Sequence, residues 1–184
     1  MIKKIIIIFL FTLFINHLKA EENIMILKLK DGDVVIELFS EISPKHVERI
    51  KSLSKEKKYD GVVFHRVIDG FMAQTGDVQY GNSNSPNYDL SRAGTGGSEY
   101  PDLKAEFSEL PHERGTLSMA RSADPNSANS QFFICFKSSP FLDRQYTVFG
   151  KVVKGMEFVD LIKRGEGSNG EVTKPDKIIG ISVK

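Results

Sequence analysis

Eight short apolar-rich runs, each bounded by turn residues, constrain this 184-residue chain more than any other feature. They span 25–30, 34–39, 62–68, 71–74, 116–120, 131–136, 148–153 and 177–183. Runs this short, rich in β-branched and aromatic residues, read as strands. Asp31-Gly32 between the first two signals a hairpin, because glycine accepts the positive φ such turns need. Only two segments have helical spacing. Ser43-Pro44 offers a cap and a first helical residue, followed by Val47, Ile50 and Leu53 on one side and Lys45, Glu48, Arg49 and Lys51 on the other. The second, over 155–164, aligns Met156, Val159 and Ile162. Residues 79–115 are loop-rich, with Gly81-Asn82-Ser83-Asn84-Ser85-Pro86-Asn87 the strongest breaker. Many short strands with two helices imply a mainly β, closed or nearly closed sheet. There is no internal repeat and no dividing linker.

The run Phe64-His65-Arg66-Val67-Ile68-Asp69-Gly70-Phe71-Met72-Ala73-Gln74 sets one cation and one amide among apolar side chains. Strand alternation sends Phe64, Arg66 and Ile68 to one face, and Met72 and Gln74 to one face of the next run. An arginine on an apolar face is costly unless its guanidinium is held, and the Gln74 amide oxygen can accept from it. Two readings stand: a half-buried strand with a snorkelling arginine, or a functional arginine.

Lys3 and Lys4 precede an apolar run over 5–15, interrupted only by Thr12, and Asn16 to Ala20 follow. This is the order of a secretory signal peptide, with Ala20 suited to the position before the cut. The apolar run is short for a membrane span; an uncleaved anchor is the alternative. We therefore expect a signal peptide at 1–20, a single domain at 21–184, and a periplasmic or secreted protein. Without 1–20, lysine plus arginine falls from 25 to 22 against 24 acids, a net charge of −2. No basic stripe is left to suggest a nucleic-acid partner. The one cysteine, Cys135, lies in an apolar run and reads as a small buried hydrophobe.

Further along the chain, Gly115-Thr116-Leu117-Ser118-Met119-Ala120-Arg121 is followed by Asn129-Ser130-Gln131-Phe132-Phe133-Ile134, Phe141-Leu142-Asp143, and Thr147-Val148-Phe149-Gly150. Together with the run beginning at Phe64, these motifs resemble the cyclophilin-type peptidyl-prolyl cis-trans isomerases, from about Met25 to the C-terminus and in the same order. Several separated motifs in order are far more specific than one short pattern. The Met119-Ala120-Arg121-Ser122 segment and the leader resemble bacterial, exported members.

The resemblance implies a closed eight-stranded antiparallel β-barrel with an α-helix over each end and the active groove on its outer wall. It implies rotation of X–Pro bonds without a covalent intermediate, in the folding of exported proteins. Arg66 matches the catalytic arginine aimed at the prolyl nitrogen, and Gln74 the glutamine that orients it. Phe71, Met72, Phe133 and Leu142 match the walls of the proline pocket, and Gln131 a glutamine that contacts substrate backbone. Ala120 and Arg121 match the strand edge that pairs with substrate, the backbone of the second meeting the carbonyl that rotates. Phe141 stands where many members carry tryptophan, and Tyr146 where they carry histidine. That tryptophan's ring nitrogen donates to cyclosporin, which phenylalanine cannot do, so weak cyclosporin binding is expected. Partners are proline-containing polypeptides, and the family is mostly monomeric. Residues 82–93 look like an insertion, read as inert surface.

Other signals carry less. Gly165-Glu166-Gly167-Ser168-Asn169-Gly170 spells a dinucleotide fingerprint but follows a helix rather than a strand, so we read a flexible turn. His17, His46, His65 and His112 lack zinc spacing, and neither a metal nor a cofactor is expected. Ser118 and Ser130 lack a nucleophile-elbow context and an evident partner base. The reading from another class is a non-catalytic chaperone or scaffold that holds proline segments.

Overall fold

The computed structural model describes residues 23–184; the expected leader lies outside them. Eight strands form one antiparallel sheet: β1 (Ile24–Leu29), β2 (Gly32–Leu38), β3 (Arg66–Ile68), β4 (Met72–Thr75), β5 (Thr116–Met119), β6 (Phe132–Cys135), β7 (Val148–Lys154) and β8 (Gly180–Val183). Their order across the sheet is β3-β4-β6-β5-β7-β2-β1-β8. The helices are α1 (Pro44–Lys55) and α2 (Met156–Asp160), with a 3-10 turn at Pro140–Leu142. The sheet curls around one core but does not close as a continuous ladder, which corrects the expected closed barrel. A single bridge between Val63 and Lys177 spans the seam, flanked by Phe64 N–H to Asp176 O and Ile178 N–H to Val62 O, both 2.9 Å. The segments meeting there are too short and irregular to join the outer strands β3 and β8.

Alternation explains where the core sits. Met25, Leu27, Val34, Ile36, Val67, Ala73, Leu117, Phe132 and Ile134 all point inward and are fully buried. Phe132 stands edge-on to both Tyr59 and Phe149, at 5.8 and 5.9 Å. Such aromatic packing dominates a core of this size. β4 and β6 are buried on their outer face too, where Met72, Phe133, Cys135 and Leu142 form a second cluster. That outer cluster is the floor of the site described below. Burial there pushes the Cys135 thiol up to about 12, consistent with an inert hydrophobe.

Several local expectations change. Strand 62–68 shrinks to β3, and Phe64 turns into the core while Arg66 and Ile68 face outward. The alternation breaks because residues 64–65 lie in no ladder. The hairpin turn is Lys30-Asp31, with Leu29 opposite Gly32. Gly32 is needed for space: a Cβ there would lie 2.5 Å from the Phe158 ring.

Ser43 occupies the cap position of α1 but makes no capping hydrogen bond. Glu106 caps instead, its carboxylate accepting from the N–H groups of Lys45 and His46 at 3.1 and 3.2 Å and lying 2.7 Å from His46 Nδ1. Arg49, expected on the solvent side, is buried. It donates to Pro101 O at 2.8 Å and Asn129 O at 3.2 Å and lies over the Tyr100 ring. α2 ends at Asp160 rather than Arg164, because the chain must swing back for Gly165 N–H to reach Val67 O at 2.9 Å.

Candidate active site

The register of β3 on β4 sets Arg66 directly opposite Gln74. Arg66 Nη1 donates to Gln74 Oε1 at 3.1 Å. Gln74 Nε2 donates to Gln131 Oε1 at 3.0 Å, and Gln131 Nε2 donates to Gly96 O at 2.7 Å. The relay assigns both amide orientations, since each oxygen accepts and each nitrogen donates. A second hold comes from Arg66 Nε, which donates to Asn169 O at 3.0 Å. A guanidinium has five N–H donors, so donors remain for a ligand. Burial lowers the Arg66 pKa, with the Tyr146 hydroxyl opposing, yet arginine stays charged at any ordinary pH.

Arg66 and Gln74 rim a cavity of about 400 Å³ whose other walls are Phe71, Met72, Phe133, Phe141, Leu142 and Tyr146. Ala120 and Arg121 form its far lip. The aromatic walls brace one another. Phe71 meets Phe141 at 5.4 Å, Phe133 stands edge-on to Tyr146 at 5.8 Å, and His112 stacks behind Phe133 at 6.2 Å. Phe141 is 63% exposed, so it forms a lip rather than a floor.

Of the residues the sequence singles out, ten converge on this cavity. Gln131 lies instead in an adjoining hollow of about 250 Å³, which shares Gln74, Ala120 and Arg121 with the first. Sequence reasoning missed Gln145, which also lines the cavity. Gln145 Nε2 donates to Phe141 O at 2.9 Å, and its own carbonyl accepts from Arg121. A larger hollow, about 600 Å³, lies between the end of α1 and the 79–100 loop and includes none of the predicted site residues.

The glycine-rich 165–170 segment is more than a turn. Val67 N–H donates to Gly170 O at 2.7 Å, and Glu171 bridges Arg66 across the outer edge of β3. Gly170 has φ 73°, and a Cβ there would lie 2.8 Å from Val67 O. This pairing delivers the Asn169 carbonyl to Arg66.

Two buried groups lie behind the site. The Asp77 carboxylate accepts from the N–H groups of Gln79 and Tyr80 on one oxygen and Gly94 and Gly96 on the other, at 2.8–3.0 Å. It ties the residues flanking the 82–93 insertion on both sides to the chain just beyond β4. His65 is buried against this knot; neither ring nitrogen has a hydrogen-bond partner among the described residues, and burial lowers its pKa to about 4.

Ser118 does have a partner base: His112 Nε2 lies 3.0 Å from its Oγ, and His112 Nδ1 lies 2.9 Å from Asp143 Oδ1. Their approach depends on packing that the sequence spacing does not reveal. Ser118 is fully buried and its hydroxyl donates to Thr147 O at 2.9 Å, so no substrate carbonyl reaches it. Hydrolysis is not supported. Among the described residues no three His, Cys, Asp or Glu side chains gather as a metal-ligand cluster.

Comparison with known proteins agrees with this geometry. The family pattern described as "Cyclophilin type peptidyl-prolyl cis-trans isomerase/CLD" matches residues 24–183. A Brucella suis protein named "Probable peptidyl-prolyl cis-trans isomerase" is 62% identical over 164 residues, covering 89% of this chain and 83% of its own. A Helicobacter pylori peptidyl-prolyl cis-trans isomerase is 39% identical, covering 81% of this chain and 86% of its own. Among solved structures, a Cryptosporidium parvum cyclophilin crystallised in the presence of the dipeptide Ala-Pro superposes with TM-score 0.74 at 29% identity, covering 88% of this chain and 98% of its own. A Hirschia baltica cyclophilin gives the same score at 27% identity, covering 89% and 74%. The chain belongs to the cyclophilin-type peptidyl-prolyl cis-trans isomerases. Its enzymatic activity is therefore catalysis of cis-trans isomerisation at X–Pro bonds.

Proposed function

We propose that Arg66 is the group that lowers the rotational barrier. An X–Pro bond crosses over in tens to hundreds of seconds unaided, against a resonance barrier of roughly 18–20 kcal/mol. Twisting the amide localises a lone pair on the prolyl nitrogen. A donor fixed near that nitrogen binds the twisted form better than either planar form, and this differential binding is the catalysis. No proton transfer and no covalent bond is required. The prolyl ring sits among Phe71, Met72, Phe133 and Leu142, with Phe141 and Tyr146 at the lip. Gln131 and the backbone of Ala120 and Arg121 meet the substrate chain, and Gln74 with the Asn169 carbonyl keeps the guanidinium from following the rotating amide.

The observation that carries this reading is an arginine held on two sides by neutral acceptors above an apolar cavity. The Ala-Pro dipeptide used with the Cryptosporidium relative supports a proline-containing ligand for this cavity. A holdase that merely grips proline needs no donor at its nitrogen, so the binding-only reading is disfavoured. The test is isomerisation of a short proline peptide by the native protein and by Arg66→Ala. Near-native turnover in the variant would refute the role given to Arg66.

The same proposal includes the setting: a monomeric enzyme exported by the leader at 1–20, acting on folding proteins of the periplasm or exterior. Cell fractionation with mass measurement of the exported chain tests it. A mass that retains 1–20 would favour the tethered alternative.

A further inference from the structure

Arg121 stands where the two hollows of the groove meet, lining both. Its side chain is fixed in place. Nε and Nη2 donate to Gln145 O at 3.2 and 3.0 Å, Nη1 donates to Ser122 O at 2.8 Å, and the guanidinium lies 4.4 Å from the centre of the Tyr146 ring. Every one of these partners is neutral, so the charge is positioned without being cancelled. Asp124, the nearest acid in sequence, accepts from the Asn126 amide instead. Arg66 is likewise held by an amide oxygen and a backbone carbonyl. Elsewhere Arg114, Arg144 and Arg164 pair with Asp160, Glu109 and Asp69. Among the described residues no aspartate or glutamate lines either hollow of the groove, whereas the hollow beyond α1 carries both Glu56 and Glu99. The groove therefore has a local positive field that its own walls do not offset.

We infer that this groove selects client segments bearing an acidic side chain one or two residues before the proline, with Arg121 as the residue that sets the preference. The inference rests on the isomerase geometry proposed above. In that geometry the Arg121 backbone meets the carbonyl preceding proline, so its side chain lies beside the residues on that side. A stacked, doubly anchored guanidinium is pre-organised, and little side-chain freedom is lost when a carboxylate arrives. The pair stays partly hydrated, so its effect is modest and falls with salt.

The test compares proline peptides carrying Glu, Gln or Lys at each of those two positions, with native protein, Arg121→Gln and Arg121→Lys, at low and high salt. With native protein at low salt, kcat/KM for the Glu peptide should exceed that for Gln by about two- to five-fold and that for Lys by more. The Glu-to-Lys ratio should shrink as salt is added, fall most of the way towards one in Arg121→Gln, where only Arg66 remains, and be largely kept in Arg121→Lys. The ratio is the readout, so a general loss of rate in a variant does not mask it. Equal rates for the three peptides, or a ratio unchanged in Arg121→Gln, would overturn the inference and leave the isomerase mechanism standing. If Arg121→Gln fails to fold, the salt series on native protein decides, a salt-independent ratio counting against the inference. No turnover of any peptide would overturn both readings.

Discussion

Gln74 accepts from Arg66 through its amide oxygen and donates to Gln131 through its amide nitrogen, so one side chain links the Arg66 guanidinium to the adjoining hollow. The link continues to Gly96 O and thus to the loop tied down by Asp77. Position and charge of the guanidinium are therefore supplied by different parts of the chain.

Removing the guanidinium should cost far more than loosening it. Arg66→Ala is expected to lower kcat/KM by about 100-fold or more, the scale seen when a pre-organised donor is lost. Gln74→Ala keeps the donor and the Asn169 contact, so a loss nearer ten-fold is expected, mostly in kcat. Peptide turnover checks both, with circular dichroism to show that the fold survives.

Asp77 should matter for stability out of proportion to its distance from substrate. Asp77→Ala strands four backbone N–H groups that the carboxylate now satisfies, and should cost about 3 kcal/mol or more. Asp77→Asn should also destabilise, because its NH₂ would face two further donors. Urea unfolding measures the loss. Turnover should fall with it, since the Gly96 carbonyl no longer has a fixed place.

His65 should make the fold acid-sensitive. Its pKa is about 4 when folded, against an ordinary value of 6.5, with burial the main cause. The unfolded chain thus binds the proton more readily, and stability falls as pH drops from 6.5 towards 4. Above 6.5 both states are neutral and the contribution is whole. Its full loss would be about 3 kcal/mol. Melting temperatures across this window should decline for the native protein and decline less for His65→Leu.

Phe141 should govern cyclosporin affinity. The native protein is expected to bind the drug weakly. Phe141→Trp restores a ring N–H at an exposed lip, and one such hydrogen bond is worth about ten-fold in affinity. Titration of both proteins checks this, and tight binding by the native protein would show the reasoning wrong.

Much of the site was legible because strand alternation and register are local rules. Met72 and Gln74 share the outer face of β4 as expected, and Gln74 falls opposite Arg66. Where the ladder lapses, over residues 64–65, the same rule misassigns the face of Phe64. The other omissions are contacts between distant positions. Glu106 caps a helix 60 residues earlier, and nothing near Ser43 announces it. The Asn169 carbonyl is a main-chain atom, which no residue-type pattern can reveal. Asp77 resembles any turn aspartate until the insertion is seen folding back onto it.

The pairing of residues 165–171 along β3 has a consequence for an enzyme whose substrates are polypeptide chains. Val67 N–H and O and the His65 carbonyl are all engaged by Gly170, Gly165 and Val172. An extended client in the neighbouring groove thus finds no free backbone row to zip onto at that margin. That margin of the sheet is thereby guarded against pairing with a second chain.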